Sequence, residues 1–318
     1  MRIITIGGSG FIGTYLIELL RPEHELFNID KHNSVAFPHV TSIADIRDYD
    51  KLLTAIKPAD WVILLAAEHR DNVSPISLYY DVNVQGTKNI LKALNEKGIN
   101  KIIFISSVAV YGLNKPAPDE ASPAAPFNHY GRSKWMAEEL LRKWQLKDTQ
   151  NRTLVIVRPT VVFGPSNRGN VYNLLQQIGS GKFVMIGKGN NRKSMTYIEN
   201  VTGFIRYLLQ INLSGYHVFN YTDKPDLSMN ELISIVEKAM CKKIAPVRIP
   251  YWLGYMGGIG FDMAATITGK KFPISAVRVK KFCATTQFSG EKWLQTGFTP
   301  AYTLHEGLIK TIHTIQKT

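Results

Sequence analysis

Hydrophobic residues fall along this chain in two alternating rhythms. RIITI (2–6), HELFNID (24–30), WVILLAA (61–67), KIIFISS (101–107) and RTLVIVRPTVVFG (152–164) are short, nearly continuous apolar runs. That is the pattern of strands buried on both faces. Between them, FIGTYLIELLR (11–21), YDKLLTAI (49–56), LYYDVNVQGTKNILKALNEK (78–97) and YGRSKWMAEELLRKWQLK (130–147) repeat apolar residues three and four apart, as helices do. Strand and helix in alternation require crossover connections, so the pattern predicts an α/β fold with a doubly wound parallel sheet.

After Pro165 the rhythm changes to polar, glycine-rich pieces: GPSNRGN, IGSGK and IGKGNNRKS. HVFNYTD (217–223) reads as one more strand and SMNELISIVEKAM (228–240) as a helix, with Ser228 as N-cap and Glu231 completing a capping box. The change predicts two interleaved units. Residues 1–165 plus about 197–240 form the first, and about 166–196 with 241–318 form a smaller C-terminal α/β lobe. The stretch Ile249 to Thr268 is apolar except for Asp262. The central charge argues against a transmembrane span. The reading is a buried helix or an apolar lid over the substrate, with shallow membrane contact as a further alternative.

Composition narrows the classes. At 45% hydrophobic and 20% charged residues over 318 positions, the chain suits a soluble globular protein. Cys241 and Cys283 make no disulfide framework and fit a reducing, cytoplasmic setting. Met1 leads straight into a strand, with no basic and apolar leader before it. The net charge of +13 is read as attraction to an anionic partner, a nucleotide-linked substrate, nucleic acid or a membrane surface, or as a generally basic surface. Its lysines and arginines are scattered, with only short doublets such as Lys242-Lys243, Lys270-Lys271 and Lys280-Lys281, so nucleic acid is not an expected partner.

Three glycines, Gly7, Gly10 and Gly13, follow the first strand and open the first helix. That context suits a dinucleotide pyrophosphate: one glycine for the turn, one for close approach of the phosphates, one for helix packing. Phe11 and Ile12 begin the helix, whose free N–H groups face an anion. Asp30 ends the second strand 17 residues beyond Gly13, where a carboxylate accepts the adenosine ribose hydroxyls and repels a 2′-phosphate. NAD is therefore expected rather than NADP. Asp45-Ile46 opens the next unit as a candidate adenine contact.

Tyr130 and Lys134 are four apart on a predicted helix, one turn from each other. An isolated tyrosine is a poor base at neutral pH, and a nearby ammonium lowers its pKa. Ser106 and Ser107 end the strand 101–107 at the carboxyl edge, where ligands bind in such sheets. Ser107 or Ser106 can hydrogen-bond the same substrate oxygen as Tyr130.

GGSGFIG, Asp30, DIR (45–47), LAA (65–67), DVNVQGTKNIL (81–91), SSVAVYG (106–112), YGRSK (130–134), RPTVVFGP (158–165) and RKSMTYIENV (192–201) together resemble the extended short-chain dehydrogenase/reductase family, which includes nucleotide-sugar epimerases and dehydratases. The resemblance implies a Rossmann-type fold and selects Ser107, with Tyr130 and Lys134, as the catalytic set. It implies cofactor contacts at Leu65, Ala66, Ala67 and Pro159, a geometry-keeping role for Asn83, and substrate contacts at Val108, Arg168, Asn170, Arg192 and Lys193. No metal is implied. A homodimer through helices 78–97 and 129–146 is also implied, with Leu140, Leu141 and Trp144 facing either the partner or the sheet.

Within that family, sugar 4,6-dehydratases carry Asp-Glu where this chain has Val108-Ala109, so water elimination is not expected. The Cys/His pair of 3,5-epimerising reductases has no counterpart, because both cysteines lie elsewhere. The resemblance leaves an NAD-dependent epimerase or reductase acting on a hydroxyl or keto carbon, expected at C4 of a nucleoside-diphosphate sugar. Val161 stands where galactose-type epimerases carry a substrate-contacting Asn. A 3β-hydroxysteroid dehydrogenase-like enzyme on a lipid or sterol hydroxyl is the alternative, and a non-catalytic NAD-binding protein is a third.

Overall fold

The computed structural model describes residues 1–70, 73–113, 115–181, 183–244, 247–269 and 275–316. The doublet Lys270-Lys271 lies outside the described residues. Strands β1 (Arg2–Ile6), β2 (Glu25–Asp30), β3 (Thr41–Ile43), β4 (Trp61–Leu64), β5 (Lys101–Ile105), β6 (Thr153–Pro159), β7 (Val161–Phe163), β8 (Val184–Ile186), β9 (Arg192–Tyr197), β10 (Tyr216–Tyr221), β11 (Asp223–Ser228) and β12 (Val247–Ile249) follow in chain order. Seven of them build the main sheet in the order β10-β6-β5-β4-β1-β2-β3, with every neighbouring pair parallel. This is the doubly wound Rossmann-type sheet that the alternating rhythm predicts. The order reverses beside β1, so β1 and β4 open the crevice where such sheets take ligands.

The sheet is buried on both sides. Ile3, Ile103, Ile105 and Val155 pack one face against Leu16, Ile17 and the helix Ile198–Gln210. Ile4, Ile6, Val62 and Ile102 pack the other against Ile90, Leu94, Leu141 and Trp144. Leu141 and Trp144 thus face the sheet, and Trp144 Nε1 donates to Asn95 Oδ1 at 2.8 Å.

Beyond Pro159 the long run 152–164 does not continue as one strand. The chain leaves the main sheet at Thr160, and β7 joins a second sheet in the order β11-β9-β7. A two-stranded parallel pair, β8 with β12, completes the smaller part. The capping box forms as expected: Glu231 N donates to Ser228 Oγ at 3.2 Å, and Ser228 N to Glu231 Oε2 at 2.7 Å.

Two elements depart from the sequence reading. The helical stretch 77–96 is interrupted by a π-turn at Asp81–Gln85. The apolar stretch 249–268 forms the helix Tyr251–Thr268, but it is not a buried helix. Only Gly254 and Gly258 are buried, because these two glycines make its close contacts, while Trp252, Leu253, Met256, Met263 and Ile267 face outward. Among the described residues no helix is long and apolar enough to cross a membrane.

Candidate active site

The glycine turn is shaped by close packing on two sides and openness on a third. Gly7 has φ +88°, and a Cβ there would meet the Ala66 backbone at 2.4 Å. A Cβ on Gly13 would meet Gly8 at 2.4 Å. Gly10 differs: the nearest atom to its Cβ position is Gly7 O at 3.7 Å. Protein packing leaves Gly10 free, so its backbone is open to close approach from outside the fold. The helix Phe11–Leu20 starts at Gly10 with no side-chain cap and no acid in its first turn. Its N–H groups, including those of Phe11 and Ile12, remain for an anion.

Asp30 reaches back to the turn. Its Oδ2 accepts from Ser9 N at 3.0 Å and its Oδ1 from His32 N at 3.1 Å. Asn28, two residues earlier, fastens the same turn. Its buried side chain accepts from Gly8 N at 2.9 Å and donates to Ser9 Oγ and Thr41 Oγ1. Next to Asp30 lies a cavity of about 440 Å³ lined by Lys31, His32, Ala44, Asp45 and Arg47 among others. Asp45 is gripped by Arg47, at 2.6 Å for the Nη2–Oδ2 contact, and these hydrogen bonds hold its carboxyl below the usual range. Ile46 is buried against Gly86. Leu65 and Ala66 both donate their N–H to Ile6 O at 2.8 Å, which sets the loop Leu65–Ala67 beside the glycine turn. An open Gly10, an uncapped helix start, a ribose-height carboxylate and a cavity beyond it fit an adenine dinucleotide.

Tyr130, Lys134 and Ser107 converge at the carboxyl end of β5. Ser107 caps the short 3₁₀ turn Val108–Tyr111, accepting from Ala109 N at 3.1 Å, and its hydroxyl lies beside the Tyr130 phenol. Burial pushes the Tyr130 phenol up, and the Ser107 hydroxyl pulls it back. Asn128 caps the helix His129–Leu146 by accepting from Gly131 N at 2.8 Å, which places Tyr130 in its first turn. Lys134 is buried; its ammonium donates to Ile105 O at 2.6 Å and sits 4.1 Å from the Phe104 ring centroid. Burial lowers Lys134 to about 7, opposed by the charge of Glu138 one turn on.

Four partners, Glu138, Arg158, Tyr111 and Asn220, escaped the sequence reading. Glu138 Oε1 and Oε2 accept from Arg158 Nε at 3.0 Å and Nη2 at 2.5 Å, and Ser106 Oγ donates to Oε1 at 2.5 Å. Ser106 therefore serves this buried carboxylate, whereas Ser107 meets Tyr130. Arg158 Nη1 donates to the Tyr111 hydroxyl, which donates to Asn220 Oδ1 at 2.8 Å. Their signal was a lone Arg within an apolar strand, since a buried charge needs a partner.

Asn83 sits in the π-turn. Its Oδ1 accepts from Glu68 N at 2.8 Å, and its Nδ2 donates to Glu68 O at 3.0 Å and Ser133 Oγ at 2.8 Å. Ser133 donates in turn to Tyr130 O. One amide thus joins the loop after β4 to the helix of Tyr130 and Lys134.

The chain matches the profile of the NAD dependent epimerase/dehydratase family over residues 3–221. It belongs to that family. This NAD-dependent epimerase-type chain is 55% identical over 311 residues to the N-acetyl-alpha-D-glucosaminyl-diphospho-ditrans,octacis-undecaprenol 4-epimerase of Escherichia coli O157:H7, covering 98% of this chain and 94% of that one. It is 27% identical to the sterol-4-alpha-carboxylate 3-dehydrogenase, decarboxylating, of Mus musculus, over 98% of this chain and 90% of the relative. Among solved structures, MoeE5 in complex with UDP-glucose and NAD superposes with a TM-score of 0.78 at 20% identity, covering 100% of this chain and 99% of the other. The family and its NAD cofactor are those expected from the sequence.

The remaining predicted substrate residues of this family member are spread out. Val108 starts the 3₁₀ turn beside Ser107. Arg168 and Asn170 are exposed at the start of the helix Asn170–Gly179. Arg192 Nη1 donates to Asp226 O at 2.7 Å and lies 3.6 Å from Glu231. Lys193 does not project freely: its ammonium donates to Lys281 O at 3.0 Å and Ala284 O at 2.5 Å, and burial lowers it to about 8. Pro159 ends β6, and Val161 begins β7 with its side chain partly exposed. Glu68 is buried and held down to about 2 by hydrogen bonds from Arg70.

Proposed function

We propose that this chain is a 4-epimerase acting on an N-acetylhexosamine joined through a diphosphate to a polyprenol. The observation that carries this is the 55% identity, spread over 98% of the chain, to a 4-epimerase whose name states that substrate. Nucleoside-diphosphate sugars, the carrier expected from the sequence, share the sugar and the diphosphate and differ beyond the second phosphate. The family's chemistry is the same for both.

In this reading Gly7, Gly10, Gly13, Phe11 and Ile12 seat the pyrophosphate, Asp30 the ribose, Asp45 and Ile46 the adenine, and Leu65–Ala67 with Pro159 the nicotinamide side. NAD bound there supplies a reversible hydride acceptor. Tyr130 takes the C4 hydroxyl proton and later returns it. Ser107 holds that oxygen and the phenol together. Lys134, one helical turn from Tyr130, completes the cofactor seat. With the hydride lent to such an acceptor and given back, nothing would be consumed and no further acid or base would be required. Arg168, Asn170, Arg192 and Val108 belong to the proposed substrate side. Lys193 takes part there through the backbone it holds.

The interleaved lobes, a homodimer, a cytoplasmic setting and a place in carbohydrate biosynthesis belong to the same proposal. The test incubates the protein with detergent-solubilised polyprenyl-diphosphate N-acetylhexosamine and with UDP-, GDP- and dTDP-sugars, following epimeric product and NADH separately. Epimer without net NADH is expected, fastest on the polyprenyl substrate. Tyr130→Phe should lose about 10²–10⁴ in turnover while still binding NAD. Net NADH formation on a sterol, or full turnover by Tyr130→Phe, overturns the proposal.

A further inference from the structure

The helix Tyr251–Thr268 presents an unusual surface. Trp252, Met256, Met263 and Ile267 lie four, seven and four residues apart, so they share one helical face. They are 65%, 59%, 63% and 83% exposed. Leu253 adds to the same side. Contiguous apolar surface of this kind marks an interaction site.

The opposite face explains the orientation. Gly258 lies so close to the next helix that a Cβ would meet Ala276 N at 2.7 Å, and one on Gly254 would meet Ile186 at 2.7 Å. Gly254 and Gly258 seat the helix on its neighbours, which leaves Trp252, Leu253, Met256, Met263 and Ile267 facing outward while Tyr255 and Ile259 are half-buried. Its one acid is turned the same way: Asp262 Oδ2 accepts from Ala276 N at 3.0 Å, at the start of the helix Ala276–Cys283. The outward side therefore carries no acid.

Basic residues surround it. Arg248 precedes the helix and donates to Lys188 O at 3.1 Å. Lys188 lines a cavity of about 280 Å³ with Tyr251, Asn191 and Cys283. Arg278 and Lys280 are exposed on the packed neighbour helix. Tyr251 and Trp252 stand at the helix start, where aromatic rings anchor at a headgroup layer. Apolar residues flanked by cations, without an acid among them, are complementary to an anionic bilayer surface. The same segment adjoins the proposed substrate side, because the Lys193 ammonium holds the Lys281 and Ala284 carbonyls at the end of the neighbour helix.

We propose that the outward face of the helix Tyr251–Thr268 docks the protein on an anionic phospholipid surface. The helix lies in the interface with Trp252, Met256, Met263 and Ile267 among the lipid headgroups and upper chains, and Arg248, Lys188, Arg278 and Lys280 engage the phosphates. This deepens the polyprenol reading, since it brings the site to a substrate held in the same bilayer.

The experiment uses no substrate, so its failure and that of the proposed reaction are separate. The full chain is mixed with phosphatidylcholine vesicles, with and without a minority of phosphatidylglycerol, and binding is followed by flotation. The variant Met256→Glu/Met263→Glu is compared with Val35→Glu, an acid added at a fully exposed position elsewhere. Wild type and Val35→Glu should float with the anionic vesicles. The double variant should lose binding by about tenfold or more while its thermal midpoint and NAD affinity stay unchanged. Added salt should weaken wild-type binding. Equal flotation of wild type and double variant, or no flotation of wild type, overturns the proposal. So does light scattering that finds a wild-type dimer turned monomeric by the double variant, which would assign the face to a second copy of the chain. A protein that floats but makes no epimer leaves the docking surface standing and removes the proposed reaction.

Discussion

Glu138→Gln removes one negative charge from the buried pair beneath the candidate catalytic helix and keeps its shape. The pair is doubly bonded, at 3.0 and 2.5 Å, with side chains only 3% and 4% exposed. Breaking such a pair leaves Arg158 charged and buried without its counterion, at a cost of about 3–5 kcal/mol. For a chain of this size that is roughly 4–8 °C in the thermal midpoint. Replacing both partners, as Glu138→Leu with Arg158→Met, removes the orphaned charge. The residual loss is about 1–3 kcal/mol, because Ser106 and Tyr111 each lose a hydrogen-bond partner. Thermal or urea unfolding of wild type, Glu138→Leu, Arg158→Met and the double variant closes the cycle. The double variant should be more stable than either single one. Additive losses, or a Glu138→Gln cost below about 1 kcal/mol, would refute the reasoning. A second readout separates position from bulk stability. The Glu138 charge raises Lys134, so its removal drops Lys134 further below about 7 and moves the Lys134-dependent limb of the pH–rate profile to lower pH.

Gly10→Ala should fold with a near wild-type midpoint and bind NAD at least tenfold more weakly by titration, whereas Gly13→Ala should lower the midpoint itself, since its Cβ meets backbone at 2.4 Å. Lys134 sits at about 7 in the fold against an ordinary value of 10.5. The unfolded chain therefore binds more protons between those values, and this group makes cofactor-free stability rise as pH climbs from 7 toward 10.5 and fall as pH drops through 7. Melting curves from pH 7 to 9 should show that rise, and Lys134→Met should flatten it.

The strands and the glycine turn were legible because each carries its signal locally: unbroken apolar runs, and glycines where side chains collide. Asp30, Ser107 and Tyr130/Lys134 were legible because their spacing places them at strand ends or one helical turn apart. Asn28 and Glu138 were not, because a single polar residue in an otherwise ordinary strand or helix names no partner until the chain folds. The π-turn at Asp81–Gln85 has no periodic signature, so Asn83 was placed through the resemblance alone. The stretch 249–268 was misjudged for a different reason. Hydrophobicity suggests that something covers a helix, but Gly254 and Gly258 make the close seam and turn the large residues away from the protein. Lys193 is expected at the substrate from the sequence, and only the fold brings the carbonyls of Lys281 and Ala284 to it.

The Asn83 amide fastens the backbone of Glu68 to Ser133, and so to the helix bearing Tyr130 and Lys134. That one amide ties the loop after β4, the proposed hydride side, to the helix of the proposed proton side. An inversion at one carbon needs something to turn over, and in the proposed reaction that part must be the sugar. The carrier's diphosphate is then the axle, held while the ring swings from one face to the other. Loosening the grip on the diphosphate and loosening the Asn83 clamp should therefore produce opposite defects: the first releases a half-reacted sugar, and the second blurs the two faces it must be able to tell apart.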